Sequence, residues 1–161
     1  MHELTMELMR IFVRDYIHDD MPLDILDVGS ADVNGNYRGL FLGHRYVGLD
    51  IVEAPNVDIV TNDPYSYPIP DNTYDVVISG QVIEHVEDIH RWIKEVARVT
   101  KVGGLVCVTG PNTWGEHRHP VDCWRIFPDG LKWLMETIGG LTILSVAAVR
   151  TDTIGVGRKD G

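Results

Sequence analysis

Short apolar runs alternate with amphipathic helical patterns along this chain. Leu4, Leu8, Ile11 and Phe12 recur at helical spacing and predict a first helix that ends before Pro22. Apolar runs rich in β-branched residues, bounded by glycine or polar residues, predict strands at 24–28, 45–50, 57–60, 75–79, 105–109 and 141–149, with a short antiparallel seventh at 153–156.

Helical patterns separate several of these strands. A short one covers 37–42, a longer one begins at Val86 and is predicted to end at Gly103-Gly104, and a third begins at Pro128. Strands that alternate with helices predict an α/β fold. We expect a single doubly wound Rossmann-like domain with a mostly parallel sheet of six or seven strands and helices on both faces.

The composition narrows the class of protein. The chain has 161 residues, 44% of them apolar and 24% charged, which is typical of a folded globular protein. Acidic residues outnumber basic ones 24 to 14, and the formal charge of −10 disfavours nucleic acid and an anionic membrane as partners. Two cysteines form no disulfide framework. No apolar run is close to the roughly 20 residues of a membrane helix. The first residues lack the basic and then apolar segments of a signal peptide. These features predict a cytoplasmic protein.

Acidic residues and a glycine turn lie at the ends of the first two predicted strands. Doubly wound sheets bind ligands beyond the carboxyl ends of their strands. Asp27 and Gly29 close the first strand, and Asp50 closes the second, 21 positions after Gly29. A glycine turn followed by a carboxylate at about this distance suits a ribose-bearing ligand. The alternative is structural: Asp27 would cap its own turn and Asp50 would be a turn residue.

The turn after the first strand favours a nucleoside without phosphates. Ala31 stands where a dinucleotide-binding turn has its second glycine, and the carboxylate of Asp32 would repel a pyrophosphate. A cationic adenosine derivative such as S-adenosylmethionine suits these carboxylates better. A nicotinamide-dependent oxidoreductase is therefore the weaker hypothesis.

The whole series of motifs resembles the class I S-adenosylmethionine-dependent methyltransferases, in particular the small type 11 group. The resemblance covers residues 24–109. It is carried by Ile25-Leu26-Asp27-Val28-Gly29-Ser30-Ala31, Tyr46-Val47-Gly48-Leu49-Asp50-Ile51, Asn62-Asp63-Pro64, the segment 67–79, Val82-Ile83-Glu84-His85-Val86 and Lys101-Val102-Gly103-Gly104-Leu105.

The resemblance implies a set of cofactor-binding residues. Asp27, Gly29, Ser30 and Ala31 would lie at the methionine part, Asp50 at the ribose hydroxyls, Ile51 and Asp63 at the adenine, and Gly80, Gln81 and His85 near the sulfonium. Two residues depart from the family pattern. Ala31 replaces a glycine, and Pro64 has no N–H to donate to the adenine ring.

The loop after the fifth strand, residues 111–125, is the candidate acceptor region. Because histidine is a common general base in enzymes, His117 and His119 are candidate catalytic bases. In-line methyl transfer needs a base only when the acceptor must lose a proton. Trp114, Asp122 and Trp124 are candidate acceptor-binding residues, with core packing as the alternative for Trp124.

A metal site in this loop is a further alternative. His117, His119, Asp122 and Cys123 have suitable side chains, but other residues alternate with the histidines and no second ligand cluster is apparent. We therefore expect no metal.

The resulting hypothesis is one methyltransferase domain over 1–161. It would contain an N-terminal helix within 1–22, a cofactor-binding part over 23–109, and an acceptor loop, helix and last strands over 110–161. We expect S-adenosylmethionine as cofactor and a small-molecule acceptor. The acceptor would bind in a shallow site formed by the first helix and the 111–125 loop, or a second subunit in a homodimer would help to enclose it. A polymer acceptor at an open face is the third alternative. The rival hypothesis is a non-catalytic module of the same fold that acts through a partner.

Overall fold

A computed structural model describes residues 3–18 and 20–161 of the chain, and its centre is a seven-stranded sheet. The strands, in chain order, are β1 Asp24–Val28, β2 Arg45–Asp50, β3 Ile59–Val60, β4 Tyr74–Gly80, β5 Thr100–Pro111, β6 Thr142–Val149 and β7 Asp152–Arg158. Their spatial order is β3-β2-β1-β4-β5-β7-β6, and β7 runs antiparallel to both of its neighbours. The predicted doubly wound sheet is confirmed.

Helices cover both faces of the sheet. The helices are α1 Glu3–Tyr16, α2 Ile89–Val99 and α3 Pro128–Trp133, which a π-helical turn over Leu134–Ile138 extends. Met9 and Phe12 of α1 pack on the face that contains Ile25, while Trp92 of α2 packs on the opposite face with Leu26. Side chains of neighbouring strand residues point to opposite faces, so one apolar run supplies both cores. Within the described ranges, no helix has the length and apolarity that crossing a membrane requires.

The glycine pair after α2 does not end that helix as predicted. The helix ends at Val99, and β5 begins at the next residue. The hydroxyl of Thr100 donates to the carbonyl of Val96 at 2.8 Å and so satisfies one of the last helical carbonyls. Gly103 has a φ of +82° and donates its N–H to the carbonyl of Lys159, so it forms an irregular part of β5.

The chain reverses its direction across the sheet at β1. From β1 it proceeds to β2 and β3 on one side, and then to β4 and β5 on the other. Residues 25–27 of β1 pair in parallel with residues 76–78 of β4. The turns that follow β1 and β4 therefore border one crevice, which is where open α/β sheets bind ligands. The predicted cofactor residues lie at this edge.

Candidate active site

The turn after β1 requires a glycine at its first position. Gly29 has a φ of +80°, and a Cβ there would lie 2.1 Å from Cγ2 of Val82. The N–H groups of Gly29 and Ser30 both donate to the carbonyl of Leu49, at 2.8 and 3.1 Å. The turn is thus held over the end of β2, and its backbone lies close to the segment after β4.

Asp50 lies beside this turn, as predicted. Its Oδ2 accepts a hydrogen bond from the N–H of Ala31 at 3.0 Å, and its Oδ1 accepts one from the N–H of Ile51 at 2.7 Å. A carboxylate offers about four lone-pair positions. Oδ1 also accepts from the N–H of Val52 at 3.4 Å, so Asp50 retains free capacity on Oδ2 for a ribose hydroxyl. Ile51, 49% exposed, offers an apolar surface next to it.

Asp27 is buried beneath the turn. It is 2% exposed, and the hydroxyl of Tyr46 donates to its Oδ2, whereas its Oδ1 has no hydrogen-bond partner within the described ranges. Burial raises the pKa of Asp27 to about 7, and the nearby charge of Asp50 adds to the effect. A cationic group near the crevice would favour the ionised form.

The segment after β4 brings Gly80 and Gln81 to the same crevice. Gln81 has a φ of 59°, which is uncommon for a residue with a side chain. Its N–H donates to the carbonyl of Thr109 at 3.0 Å, and its side-chain amide donates to Asp152 at 3.2 Å. A Cβ on Gly80 would lie 2.0 Å from the hydroxyl of Tyr37, so only glycine fits there.

Several buried polar atoms around this crevice have no hydrogen-bond partner among residues 3–18 and 20–161. They are Oδ1 of Asp27, the hydroxyl of Tyr37, Oε1 of Gln81 and Oγ1 of Thr109. Buried polar groups are rarely left unpaired in folded proteins. A ligand with both donors and acceptors would satisfy them, and the ammonium and carboxylate of S-adenosylmethionine fit that description.

The sequence did not reveal the polar network that supports the glycine turn. Arg38 donates from Nε to Asn56 at 2.8 Å and from a terminal nitrogen to Asp58 at 2.6 Å. Asn56 donates in turn to the carbonyl of Ser30 at 2.9 Å. These residues are 18 to 26 positions apart, and no local motif identifies them. Tyr37 and Tyr46 were missed for the same reason.

The two remaining predicted cofactor residues lie apart from each other. Asp63 follows β3, where its Oδ1 accepts from the N–H of Tyr65 at 2.8 Å. The neighbouring Thr61 donates its N–H to the carbonyl of Asp50, which connects this loop to the end of β2. His85 instead faces the 111–125 loop, with its Nδ1 2.6 Å from the carbonyl of Val121.

An ion pair fixes the 111–125 loop. The guanidinium of Arg125 donates to both oxygens of Asp122, at 2.7 and 2.8 Å, and Asp122 also accepts from the N–H of His117 at 2.7 Å. Arg125 holds the pKa of Asp122 well below its usual range. Asp122, a predicted acceptor-binding residue, is thus engaged in shaping the loop.

Two tryptophans of the loop are partly exposed. Trp124 is 40% exposed and donates from Nε1 to the carbonyl of Val86 at 2.7 Å, so it lies across the turn after β4 instead of in the core. Trp114 is 45% exposed, and its carbonyl accepts from Arg125 at 2.6 Å. Both rings have free surface at the carboxyl edge of the sheet.

Three histidines and a buried glutamate meet between the two segments. The ring centroid of His85 lies 5.0 Å from that of His117 and 5.7 Å from that of His119. Glu84, which the sequence reasoning did not single out, is fully buried with its Oε1 3.5 Å from both His85 and His117. Burial raises the pKa of Glu84 to about 7. Glu84, His85 and His117 thus group side chains of the kind that bind metals, from two segments of the chain.

Comparison with known proteins agrees with this geometry. Residues 26–108, just over half of the chain, match the family model described as a methyltransferase domain. A protein of Mycolicibacterium smegmatis named "probable S-adenosylmethionine-dependent methyltransferase" is 35% identical over 98 residues, which are 55% of this chain and 38% of that protein. The chain spans less than two-fifths of the length of the first curated relatives that it matches.

Solved structures share the fold over nearly the whole chain. The 1,6-didemethyltoxoflavin-N1-methyltransferase of Burkholderia thailandensis, solved with bound S-adenosylhomocysteine, superposes with a TM-score of 0.77 at 18% identity, covering 99% of this chain and 80% of that one. A Haloferax volcanii methyltransferase in complex with the Trm112 activator gives 0.74 at 16% identity, covering 98% and 89%. These likenesses concern the fold. The family match over more than half of the chain confirms the resemblance inferred from the sequence: the chain belongs to the methyltransferase domain family, in the type 11 group of class I S-adenosylmethionine-dependent methyltransferases.

Proposed function

We propose that this chain transfers a methyl group from S-adenosylmethionine to a small-molecule acceptor at the carboxyl edge of its sheet. The observation that carries the proposal is the hydrogen bond from the N–H of Ala31 to Asp50, which joins the glycine turn and the ribose-binding carboxylate in one crevice. The matched family and the names of the relatives support the same activity.

Within that crevice, each predicted cofactor residue has a role. Asp50 binds the ribose hydroxyls, while Ile51 and Asp63 contact the adenine. The methionine tail lies between the turn after β1 and the segment after β4, with Asp27 near its ammonium group. The residues assigned to that tail are Asp27, Gly29, Ser30, Ala31, Gly80, Gln81 and, at its far side, His85.

The reaction is an in-line displacement. A lone pair on the acceptor forms the new bond to the methyl carbon as the carbon–sulfur bond breaks, and the sulfonium becomes a neutral thioether. Because the leaving group is already activated, the main task of the protein is to align the acceptor with the methyl group. A protic acceptor must also release a proton, and we assign its removal to His119, with His117 as the neighbouring candidate base.

The acceptor would lie against the 111–125 loop. Trp114 and Trp124 offer aromatic walls, and Asp122 contributes by holding the loop in shape through Arg125. The partly exposed tryptophans leave this side open, so a second copy of the chain in a homodimer would help to enclose the acceptor. Two unpaired cysteines, Cys107 and Cys123, support a reducing compartment such as the cytoplasm.

Calorimetry with S-adenosylmethionine and S-adenosylhomocysteine tests the proposal. We expect both ligands to bind the chain and Asp50→Ala to abolish binding, whereas Asp20→Ala, at an exposed site, leaves it unchanged. Incubation with methyl-labelled cofactor and extract of the host would then identify the acceptor. No heat and no rise in melting temperature at millimolar ligand would overturn the proposal; binding without any labelled product would favour the non-catalytic module.

A further inference from the structure

Glu84, His85 and His117 converge where the turn after β4 meets the loop after β5. Oε1 of Glu84 lies 3.5 Å from Nε2 of His85 and 3.5 Å from Nε2 of His117. One ligand atom from each of the three residues lies within 4.8 Å of the other two. Glu84 and His85 are adjacent in sequence, whereas His117 follows 32 positions after His85, so only the fold brings His117 to the other two.

Both histidines are held so that Nε2 faces the carboxylate. Nδ1 of His85 lies 2.6 Å from the carbonyl of Val121, and Nδ1 of His117 lies 2.9 Å from the carbonyl of Gly115. A carbonyl oxygen only accepts, so in each neutral ring the proton is on Nδ1 and the lone pair is on Nε2. Metal-binding histidines are oriented in this way, by donating their other ring N–H to a carbonyl or carboxylate.

The carboxylate between them lacks a donor. Neither oxygen of Glu84 has a hydrogen-bond partner in the part of the chain that the structure describes, although the side chain is fully buried. Two nitrogen lone pairs and an unpaired carboxylate therefore face one another, an arrangement that is costly without a proton or a cation between them. A cation would interact favourably with all three groups.

The spacing suits a tetrahedral ion. Metal–ligand bonds of 2.0–2.1 Å place the ligand atoms of a tetrahedral zinc ion about 3.4 Å apart, close to the two observed separations of 3.5 Å. The third pair of ligand atoms lies within 4.8 Å, so side-chain rotations that bring it closer by up to about 1.4 Å would place all three atoms on the same ion. Two imidazoles and one carboxylate suit Zn²⁺ and related first-row metals better than Mg²⁺ or Ca²⁺, which prefer oxygen ligands.

We propose that Glu84, His85 and His117 bind one divalent transition-metal ion of the zinc class. Three protein ligands leave one position open for water or another oxygen ligand. The ion would fasten the 111–125 loop to the turn after β4. It would also occupy Nε2 of His117, leaving His119 as the proton acceptor of the proposed reaction. The metal site itself does not depend on that reaction.

Titration of the untagged, chelator-treated full chain with ZnCl₂ tests this inference. Calorimetry should give one equivalent of Zn²⁺, and dialysed protein should retain one zinc per chain by mass spectrometry. Co²⁺ should give the visible absorption of a tetrahedral site. Glu84→Gln keeps the shape of the buried side chain, and we expect it to weaken Zn²⁺ binding at least tenfold. His117→Ala, at a partly exposed position, should do the same.

His90→Ala is the matched control, because His90 lies on α2 against Trp133 and away from the cluster. It should bind Zn²⁺ like the parent chain. The inference fails if the chain binds no zinc, or if both cluster variants, folded by circular dichroism, bind it as tightly as the His90 variant. Retained binding of S-adenosylhomocysteine in that event would leave the proposed methyl transfer intact.

Discussion

The N–H of Ala31 donates a hydrogen bond to Oδ2 of Asp50 at 3.0 Å. The residue that replaces the glycine of the family pattern is therefore hydrogen-bonded to the carboxylate that we assign to the ribose. Ala31 is not among the residues with positive φ. The turn therefore uses its backbone N–H and needs no glycine there. Within residues 29–31, only Gly29 has a positive φ.

Gly29→Ala should destabilise the chain and abolish cofactor binding. A Cβ at a φ of +80° costs about 1–2 kcal/mol, and the clash with Val82 adds to this cost. Gly43→Ala is a matched control, since Gly43 has a φ of +87° and open space around it. Urea denaturation should show a larger loss of unfolding free energy for Gly29→Ala than for Gly43→Ala. The Val82→Ala substitution should reduce this difference. Equal losses would show that Val82 does not restrict this turn.

Tyr37→Phe should change stability and cofactor affinity in opposite directions. The buried hydroxyl of Tyr37 has no hydrogen-bond partner among the described residues, and such a group costs about 1–3 kcal/mol. Its removal should raise the melting temperature of the ligand-free chain by a few degrees. It should also weaken S-adenosylhomocysteine binding by about threefold to tenfold, as the loss of one hydrogen bond predicts. Unchanged affinity by calorimetry would exclude the hydroxyl from the cofactor site.

Asp27 should make the chain less stable as the pH rises from 4 to 8. Its pKa is about 7 in the folded chain and about 4 in the unfolded one, so the folded state binds more protons in this interval. The free energy of unfolding should fall by up to about 4 kcal/mol as Asp27 ionises, and level off above its folded pKa.

Urea denaturation of the parent chain and of Asp27→Asn at pH 5, 6, 7 and 8 measures this contribution. The difference between the two curves isolates Asp27 from other groups, such as Glu84, whose pKa burial also raises. Asp20→Asn should follow the parent at every pH. A pH-independent difference between the parent and Asp27→Asn would mean that Asp27 stays ionised throughout.

His119→Ala should slow methyl transfer without weakening cofactor binding. Loss of a general base typically costs a factor of about 100 or more in turnover. Arg118→Ala, next to it in the loop, removes an exposed side chain that pairs with Glu116 and should leave turnover unchanged. The readout is label transfer into the identified acceptor alongside calorimetry with S-adenosylhomocysteine. Parent-like turnover in the His119 variant would indicate an acceptor that needs no base.

Trp124→Phe should also lower turnover and spare the cofactor. The indole N–H donates to the carbonyl of Val86, and phenylalanine cannot replace that bond. The loop would then lose one attachment to the turn after β4, and the acceptor would be aligned less well. Steady-state kinetics should show a raised KM for the acceptor, and an unchanged KM would separate Trp124 from the acceptor site.

Most of the sheet was predictable because its strands are buried. The runs at 24–28 and 75–79 each contain three apolar residues, and all of these are buried. Glycine or polar residues end both runs, and the structure places β1 and β4 there within one residue. The end of α2 was not predictable. Gly103 looks like a helix terminator, yet its left-handed backbone serves an irregular β5 that pairs with the last residues of the chain.

The site was predictable only where its residues follow strand ends. Asp50 and Gly80 are the last residues of their strands and Asp27 is the last but one, so topology alone brings the three together. The contact of Glu84 with His117 depends on the path of a loop that the Asp122–Arg125 ion pair sets. The spacing of apolar residues in the sequence does not predict the path of this loop.

β7 is the last strand in sequence but an interior strand of the sheet, inserted between β5 and β6. During synthesis, the edges of β5 and β6 that pair with β7 stay unpaired until residues 152–158 have left the ribosome. Unpaired strand edges can pair with other chains. Asp152, which accepts the hydrogen bond from Gln81, belongs to the same strand. The last strand thus completes both the sheet and the side of the proposed cofactor crevice that contains Asp152. A nascent chain halted before Asp152 would have neither the complete sheet nor the complete crevice.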